Sequence, residues 1–181
     1  MPHLHLITPG IPHPAEVSSS TSLIPKINMA SLKWVTYSGG PQPANLVEAG
    51  YRGNGSKTYV ARGEIGGELA IGKFHNGTSY IPWNGKENNV SPCELLVCDK
   101  PDELLWIPAS NGEVPNGAID GGHRQDGLPF YVGHAKHESE MLPGKVFPLD
   151  KCIYVGTGWK VYRKSEYEVL VAKSYVLPTE K

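Results

Sequence analysis

From Lys33 onward the chain alternates apolar and polar positions in short runs, each closed by a turn rich in glycine or asparagine. Alternation of period two turns one set of side chains toward a core and the other toward solvent, the pattern of a half-buried β-strand. The runs predict strands over 33–37, 57–62, 79–83 and 93–98. They predict a second set over 104–108, 130–134, 152–155, 159–163 and 167–172. Turns are expected at Ser38-Gly39-Gly40-Pro41, Gly53-Asn54-Gly55, Asn111-Gly112 and Gln125-Asp126-Gly127, with a bend at Gly66-Gly67 and a connection at Gly156-Thr157-Gly158. No window of about 11 residues keeps an apolar stripe of helical period. The fold class is therefore all-β.

The two sets of strands belong to a duplicated unit. Trp34, Gly50, Arg52, Gly55, Tyr59, Glu68, Gly72 and Lys73 recur 72 positions later as Trp106, Gly122, Arg124, Gly127, Tyr131, Glu140, Gly144 and Lys145. Toward the end the offset becomes 74, aligning Cys93–Cys98 with Tyr167–Ala172 and placing two extra residues between Lys145 and Tyr167. The organisation read from this is a tail at 1–31, repeats at 32–101 and 102–173, and a short tail at 174–181. The first tail is rich in Pro, Ser and His without periodicity, and is expected to be disordered. A repeat of about 70 residues would be marginal alone, because small domains bury too little of their surface, so the halves are expected to share a core about a pseudo-twofold axis. A unit kept only for packing would preserve apolar residues and turn glycines. This one also preserves Glu, Lys and Arg.

Composition narrows the function classes. With 17 basic and 18 acidic residues, nothing points to nucleic acid or an anionic membrane. Cys93, Cys98 and Cys152 are too few for a disulfide scaffold, and the first two, five apart in one strand, point to opposite faces. The N-terminus lacks the apolar core of a secretory signal and no stretch is long enough to span a bilayer, so the expected location is cytoplasmic, with unconventional secretion left open. His3, His5 and His13 have no carboxylate or cysteine at ligand spacing, and no metal or cofactor is expected. His123, His134 and His137 lie near Glu138 and Glu140, but Arg62 and Ile65 stand where repeat one would need the counterparts of His134 and His137. With no nucleophile motif or phosphate loop, the chain is not expected to be an enzyme.

The segments AGYRGNGSKTYVARGEIGGELAIGK and GGHRQDGLPFYVGHAKHESEMLPGK, with the opening Trp and the closing ELLV/EVLV strand, resemble the DM-nine repeat family over residues 32–173. The opening Leu32-Lys33-Trp34-Val35-Thr36 is also similar to the N-terminal part of natterin-like proteins. The resemblance implies a metal-independent lectin, often for mannose, binding glycans or glycoproteins. It implies a sugar site made from an acidic residue after the Ala-Gly-aromatic turn and from the Glu and Lys of a Glu-x4-Lys segment. The last two fall on Glu68 and Lys73, and again on Glu140 and Lys145. The acidic position instead holds Arg52 and Arg124, with Asn54 and Asp126 the nearest acidic or amide side chains.

A carboxylate beside an ammonium suits a pair of vicinal hydroxyls, one accepting and the other donating. Gly72 and Gly144 would let a ligand approach the backbone. The same Glu and Lys would also serve as an exposed structural pair contributing about 0–1 kcal/mol. Guanidinium is donor-only, so Arg52 and Arg124 either neutralise the neighbouring Glu, turn the pocket toward an anionic glycan, or lie over an aromatic ring. Of Trp34, Tyr59, Trp83, Trp106, Tyr131 and Trp159, most are expected in the core and one or two at a site.

The reading is a lectin-like protein with two pseudo-equivalent sites for a mannose-type or anionic glycan, in a defence or agglutination role, with homodimerisation open. The alternatives are an intracellular adaptor or vesicle-associated structural protein, and the targeting half of a natterin-like pore-former without its aerolysin-type module. Because the tail lacks core periodicity, starting the chain at Met29 is expected to leave the melting temperature nearly unchanged. A large fall on truncation would show that the tail contributes to the core.

Overall fold

A computed structural model describes residues 31–173. The tails expected at 1–31 and 174–181, with the tail histidines and Met29, lie outside the described residues except for Ser31. The Ser31 carbonyl accepts from the Asp99 N–H at 2.8 Å, tying the start of repeat one to its end.

Repeat one forms β1 (Leu32–Tyr37), β2 (Glu48–Tyr51), β3 (Lys57–Ile65), β4 (Glu68–His75), β5 (Thr78–Trp83), β6 (Lys86–Asn89) and β7 (Cys93–Cys98). Repeat two follows the same plan with β8 (Leu104–Ser110), β9 (Asp120–His123), β10 (Pro129–His137), β11 (Glu140–Phe147), β12 (Cys152–Thr157), β13 (Lys160–Lys164) and β14 (Glu166–Ala172). The all-β expectation holds. Strands absent from the sequence reading are β2, β4, β6, β9 and β11. β2 and β9 are short and glycine-bearing, β6 is polar throughout, and β4 and β11 carry charge where a core strand would be apolar.

Among the described residues the strands join into one 14-stranded sheet, in the order β1-β7-β3-β2-β11-β12-β13-β6-β5-β4-β9-β10-β14-β8, closed further by β3–β4 and β10–β11. Exchanging the repeats reverses the order onto itself, so every junction between repeats has a counterpart. Tyr51 pairs with Met141 and, 72 positions on, His123 pairs with Leu69. Lys86 pairs with Lys160, its own counterpart at offset 74, so this contact sits on the pseudo-twofold axis. The two extra residues of repeat two replace the Asn76-Gly77 turn with the Pro148–Asp150 turn and Lys151, between Phe147 and Cys152.

The core has three parts. β3 and β10 each carry one face into a common centre, where Val47, Ala49, Val60, Ile71, Leu96 and Cys98 meet Ile119, Phe130, Val132, Phe147, Leu170 and Ala172. Their other faces cover a private core in each repeat, around Phe74 and Ile81 in one and Leu142 and Ile153 in the other. Burial of each such Ile, Leu or Phe contributes roughly 1.5–3 kcal/mol, so neither repeat can keep the common centre dry without the other. The cysteines are all buried and unbridged, with Cys93 in the private core and Cys98 in the common one, as opposite parity in β7 requires.

The repeated Gly50 and Gly122 mark the closest approach between repeats. A Cβ on Gly50 would stand 2.0 Å from the Met141 carbonyl oxygen, and one on Gly122 2.0 Å from that of Leu69. Gly122→Ala is therefore expected to cost about 3 kcal/mol, the upper end for an overpacked position, because the obstacle is backbone. Urea denaturation of the variant checks this. The shared core also predicts one cooperative transition, and two separated transitions would contradict it.

Candidate functional site

Glu68 and Lys73 lie five residues apart in β4, which runs unbroken from one to the other. Opposite parity puts their side chains on opposite faces, about 16 Å apart along the strand. The same holds for Glu140 and Lys145 in β11. Pairing of Glu68 with Lys73 and of Glu140 with Lys145 is thereby excluded, and these two carboxylates each find a cation in the other repeat. Glu68 accepts from Lys145 at 2.8 Å, and Glu140 accepts from the Arg52 guanidinium at 2.5 Å. The expected centres Glu68/Lys73 and Glu140/Lys145 are thus replaced by two crossed assemblies. Gly72 and Gly144 do not face a ligand either: a Cβ there would meet the carbonyl oxygens of Tyr80 and Tyr154 at 2.2 and 2.0 Å. They let β4 and β11 pack against their hairpin partners.

The assembly around Lys73 is filled by the protein itself. Lys73 is 1% exposed and donates to a Glu87 carboxylate oxygen and, at 2.6 Å, to the Gly156 carbonyl. The other Glu87 oxygen accepts from the Trp159 N–H at 3.4 Å. Burial pushes the Lys73 ammonium below the usual lysine range, against the opposing pull of Glu87. Beside it, Glu140 accepts from Arg52, from Gly53 N–H at 3.2 Å and from the Thr157 hydroxyl at 2.7 Å. Burial raises the Glu140 carboxyl, but these donors outweigh it and hold the group below its ordinary range.

The counterpart around Lys145 is open. A cavity of about 510 Å³ lies between the repeats, with Glu68 and the Pro82–Gly85 turn on one side and Arg124, Phe130, Lys145, Phe147, Asp150, Tyr154, Val161 and Arg163 on the other. The Lys145 ammonium stands 4.6 Å from the Phe130 ring centroid and 5.8 Å from that of Tyr154. Tyr154 donates to Asp150 at 2.6 Å, while burial and that hydrogen bond raise its phenol well above the usual range. Arg163 donates to the Asp150 carbonyl at 2.8 Å, and Arg124 lies over Phe147. Asp150 belongs to the longer β11–β12 connection, so the inserted residues supply part of the wall.

Among the differences between the assemblies, two decide which acid meets which cation. Position 126 is aspartate where repeat one has Asn54. Asp126 holds Arg124 through two hydrogen bonds, and that guanidinium keeps its carboxyl at about 2. Asn54 instead accepts from Ser56 within its own turn, leaving Arg52 to reach Glu140. Position 161 is valine where repeat one has Glu87: Pro82 pairs with Glu87, and Gly156, 74 positions after Pro82, pairs with Val161. Of the aromatic set, Trp159 is 63% exposed beside Tyr80, Trp83 lines the cavity, and Trp34 and Trp106 pack against the common core. His134 is structural, bonded to the Ala49 carbonyl and Glu168 at 2.7 Å each and stacked on Trp106. The sequence reading did not include Glu87, Phe130, Phe147, Asp150, Tyr154 and Arg163. Carrying the offset of 74 back to Lys86/Lys160 would have exposed the Glu87/Val161 difference.

These observations define a class: a duplicated all-β protein whose repeats interlock around crossed ion pairs. The chain belongs to the DM9 repeat family, whose model matches residues 15–79, 74–160 and 124–177 in tandem. Its fold is similar to the crystal structure of the nematode sperm cell motility protein MFP2B, with a TM-score of 0.60 and 16% sequence identity. The match covers 78% of this chain and 47% of that one, so the chain spans about half the length of that protein. No curated protein matches. Among the described residues no helix is long and apolar enough to cross a membrane.

Lys73 and Glu87 are expected to behave as a buried pair. Lys73→Met alone should cost about 3–5 kcal/mol by stranding the carboxylate, and Lys73→Met with Glu87→Leu should recover most of that. Equilibrium denaturation of the single and double variants measures the difference, and equal losses in both would mean that packing rather than charge sets the stability here.

Proposed function

We propose that this DM9 repeat protein is a metal-independent, non-catalytic carbohydrate-binding protein, lectin-like, working through one site per chain at the Lys145–Glu68 cavity. The observation that carries the reading is the composition of that cavity's walls. Trp83 and Tyr154 line a space of about 510 Å³ together with an ammonium, two carboxylates and two guanidinia. A saccharide has just such a mixture of apolar C–H faces and hydroxyls, and cavities of roughly 300–1,000 Å³ hold ligands of this size. An ammonium has three N–H donors, and among the described residues Lys145 gives one to Glu68. In this reading the others serve ligand oxygens in exchange for the Phe130 and Tyr154 rings that the buried ammonium faces at 4.6 and 5.8 Å.

The two pseudo-equivalent sites expected from the repeat therefore reduce to one. Lys73 and Glu140, being engaged by Glu87, Arg52 and Thr157, have a structural role in this reading. Bridging of two microbial or host surfaces then needs at least two chains, because one site per chain confers no avidity by itself.

A glycan array read in EDTA, followed by titration calorimetry of the best ligand, tests the reading. One equivalent per chain is expected, weakened at least tenfold by Lys145→Ala, with the circular dichroism spectrum unchanged. A blank array for the wild-type chain would overturn it in favour of a non-lectin adaptor. A stoichiometry of two would overturn the assignment of Lys73 to structure.

A further inference from the structure

We infer that the Lys145 cavity takes an acidic saccharide whose carboxylate occupies the place that Glu87 fills in the other assembly. This rests on the carbohydrate reading and specifies its ligand class. The duplication supplies an internal template, since the same architecture is present once with a carboxylate in it and once without.

Around Lys73, the Glu87 carboxylate is held by one ammonium and one backbone N–H, those of Lys73 and Trp159. Both holders have counterparts at the open cavity. Lys145 replaces Lys73 at offset 72, and Gly85 replaces Trp159 at offset 74. The match of the two turns is supported by reciprocal bonds across the axis, Glu87 N–H to the Trp159 carbonyl and Val161 N–H to the Gly85 carbonyl, at 3.5 and 3.3 Å. Both holders are present at the second assembly, where Lys145 already pairs with Glu68, and Val161 at the Glu87 position brings no carboxylate of its own.

Charge points the same way. The four central groups of the first assembly, Arg52, Lys73, Glu140 and Glu87, balance. Among the described residues, the walls of the open cavity carry Arg124, Lys145 and Arg163 against Glu68 and Asp150. Asp126 offsets Arg124 from the solvent side but does not line the cavity. With Asp126 turned outward, the cavity side keeps a surplus of donors over acceptors, and planar carboxylates suit ammonium and guanidinium donors through charge-assisted bonds. A neutral sugar would leave Lys145 with Glu68 as its one carboxylate partner among the described residues. Trp83 borders the same space, while the Tyr154 ring already carries Lys145 and Arg163 over it at 5.8 and 5.7 Å.

The test is calorimetric titration of the full chain with sodium glucuronate, glucose and the methyl ester of glucuronic acid. Glucuronate is expected to bind at least tenfold more tightly than either neutral compound, and its affinity should fall as sodium chloride rises. Val161→Glu should supply the carboxylate internally and abolish glucuronate binding, while Val161→Thr, nearly the same size, should retain it. Equal binding of glucuronate and glucose would overturn the inference and leave the carbohydrate reading standing. Silence toward every charged and neutral saccharide would overturn both. Should the Val161→Glu chain fail to fold, the wild-type comparison of acid with ester still decides the matter.

Discussion

The constraint on which the rest depends is the close approach of the repeats at Gly50 and Gly122, where each short strand reaches across to the other repeat's long hairpin. That approach places β4 and β11 side by side on the axis. It seals the common core, and it brings the charged first residue of each hairpin strand within reach of a cation of the other repeat, Lys145 for Glu68 and Arg52 for Glu140. A strand has two faces, so a Glu and a Lys five residues apart cannot meet on it. Duplication turns that impossibility into a crossed arrangement. The retention of Glu, Lys and Arg in both copies is then a property of the interface between repeats before it is a property of any ligand.

Buried charge at such an interface is costly unless each group is paired and hydrogen-bonded. The protein meets this demand differently in its two halves. Around Lys73 every charge has a protein partner, down to the backbone N–H of Trp159 and carbonyl of Gly156. Around Lys145 pairing is thinner: Glu68 holds the ammonium from one side, Asp126 draws Arg124 outward, and an inserted turn widens the wall with Asp150. The symmetry is broken by side chains, since the backbone registers remain reciprocal across all three junctions.

Much of the fold was legible in the chain. β3, β7, β10 and β14 were legible as apolar runs because both faces of these strands, or nearly so, are buried, which makes the runs more continuous than strict alternation. The offset of 72 then 74 located the insertion between Lys145 and Tyr167, and its place between Phe147 and Cys152 falls within those limits. β4 and β11 escaped notice for a physical reason: Lys73 and Lys145 occupy inward positions beside Ile71 and Phe147, so charge interrupts the apolar pattern at the point where the site is built. The residue types at the site could be read from sequence, but not their partners. Which lysine meets which glutamate depends on strand continuity and on the other repeat, and neither is contained in local spacing.

The divergence of the two copies has a direct physical logic. A duplicated interface with two open charged cavities would expose two desolvated cations to whatever anion was present, and would weaken the seam that joins the halves. Closing one cavity with Glu87 gives the seam a fully partnered buried pair. The other copy, held in register by the same strand junctions, is relieved of that structural duty and can leave Lys145 with donors to spare. Gly156 records the closed state, because a Cβ there would press within 3.0 Å of the Glu87 carboxylate, and its counterpart Pro82 borders the open cavity instead. Glu87 and Gly156 therefore form one unit, because a side chain at 156 would need the space that the carboxylate fills.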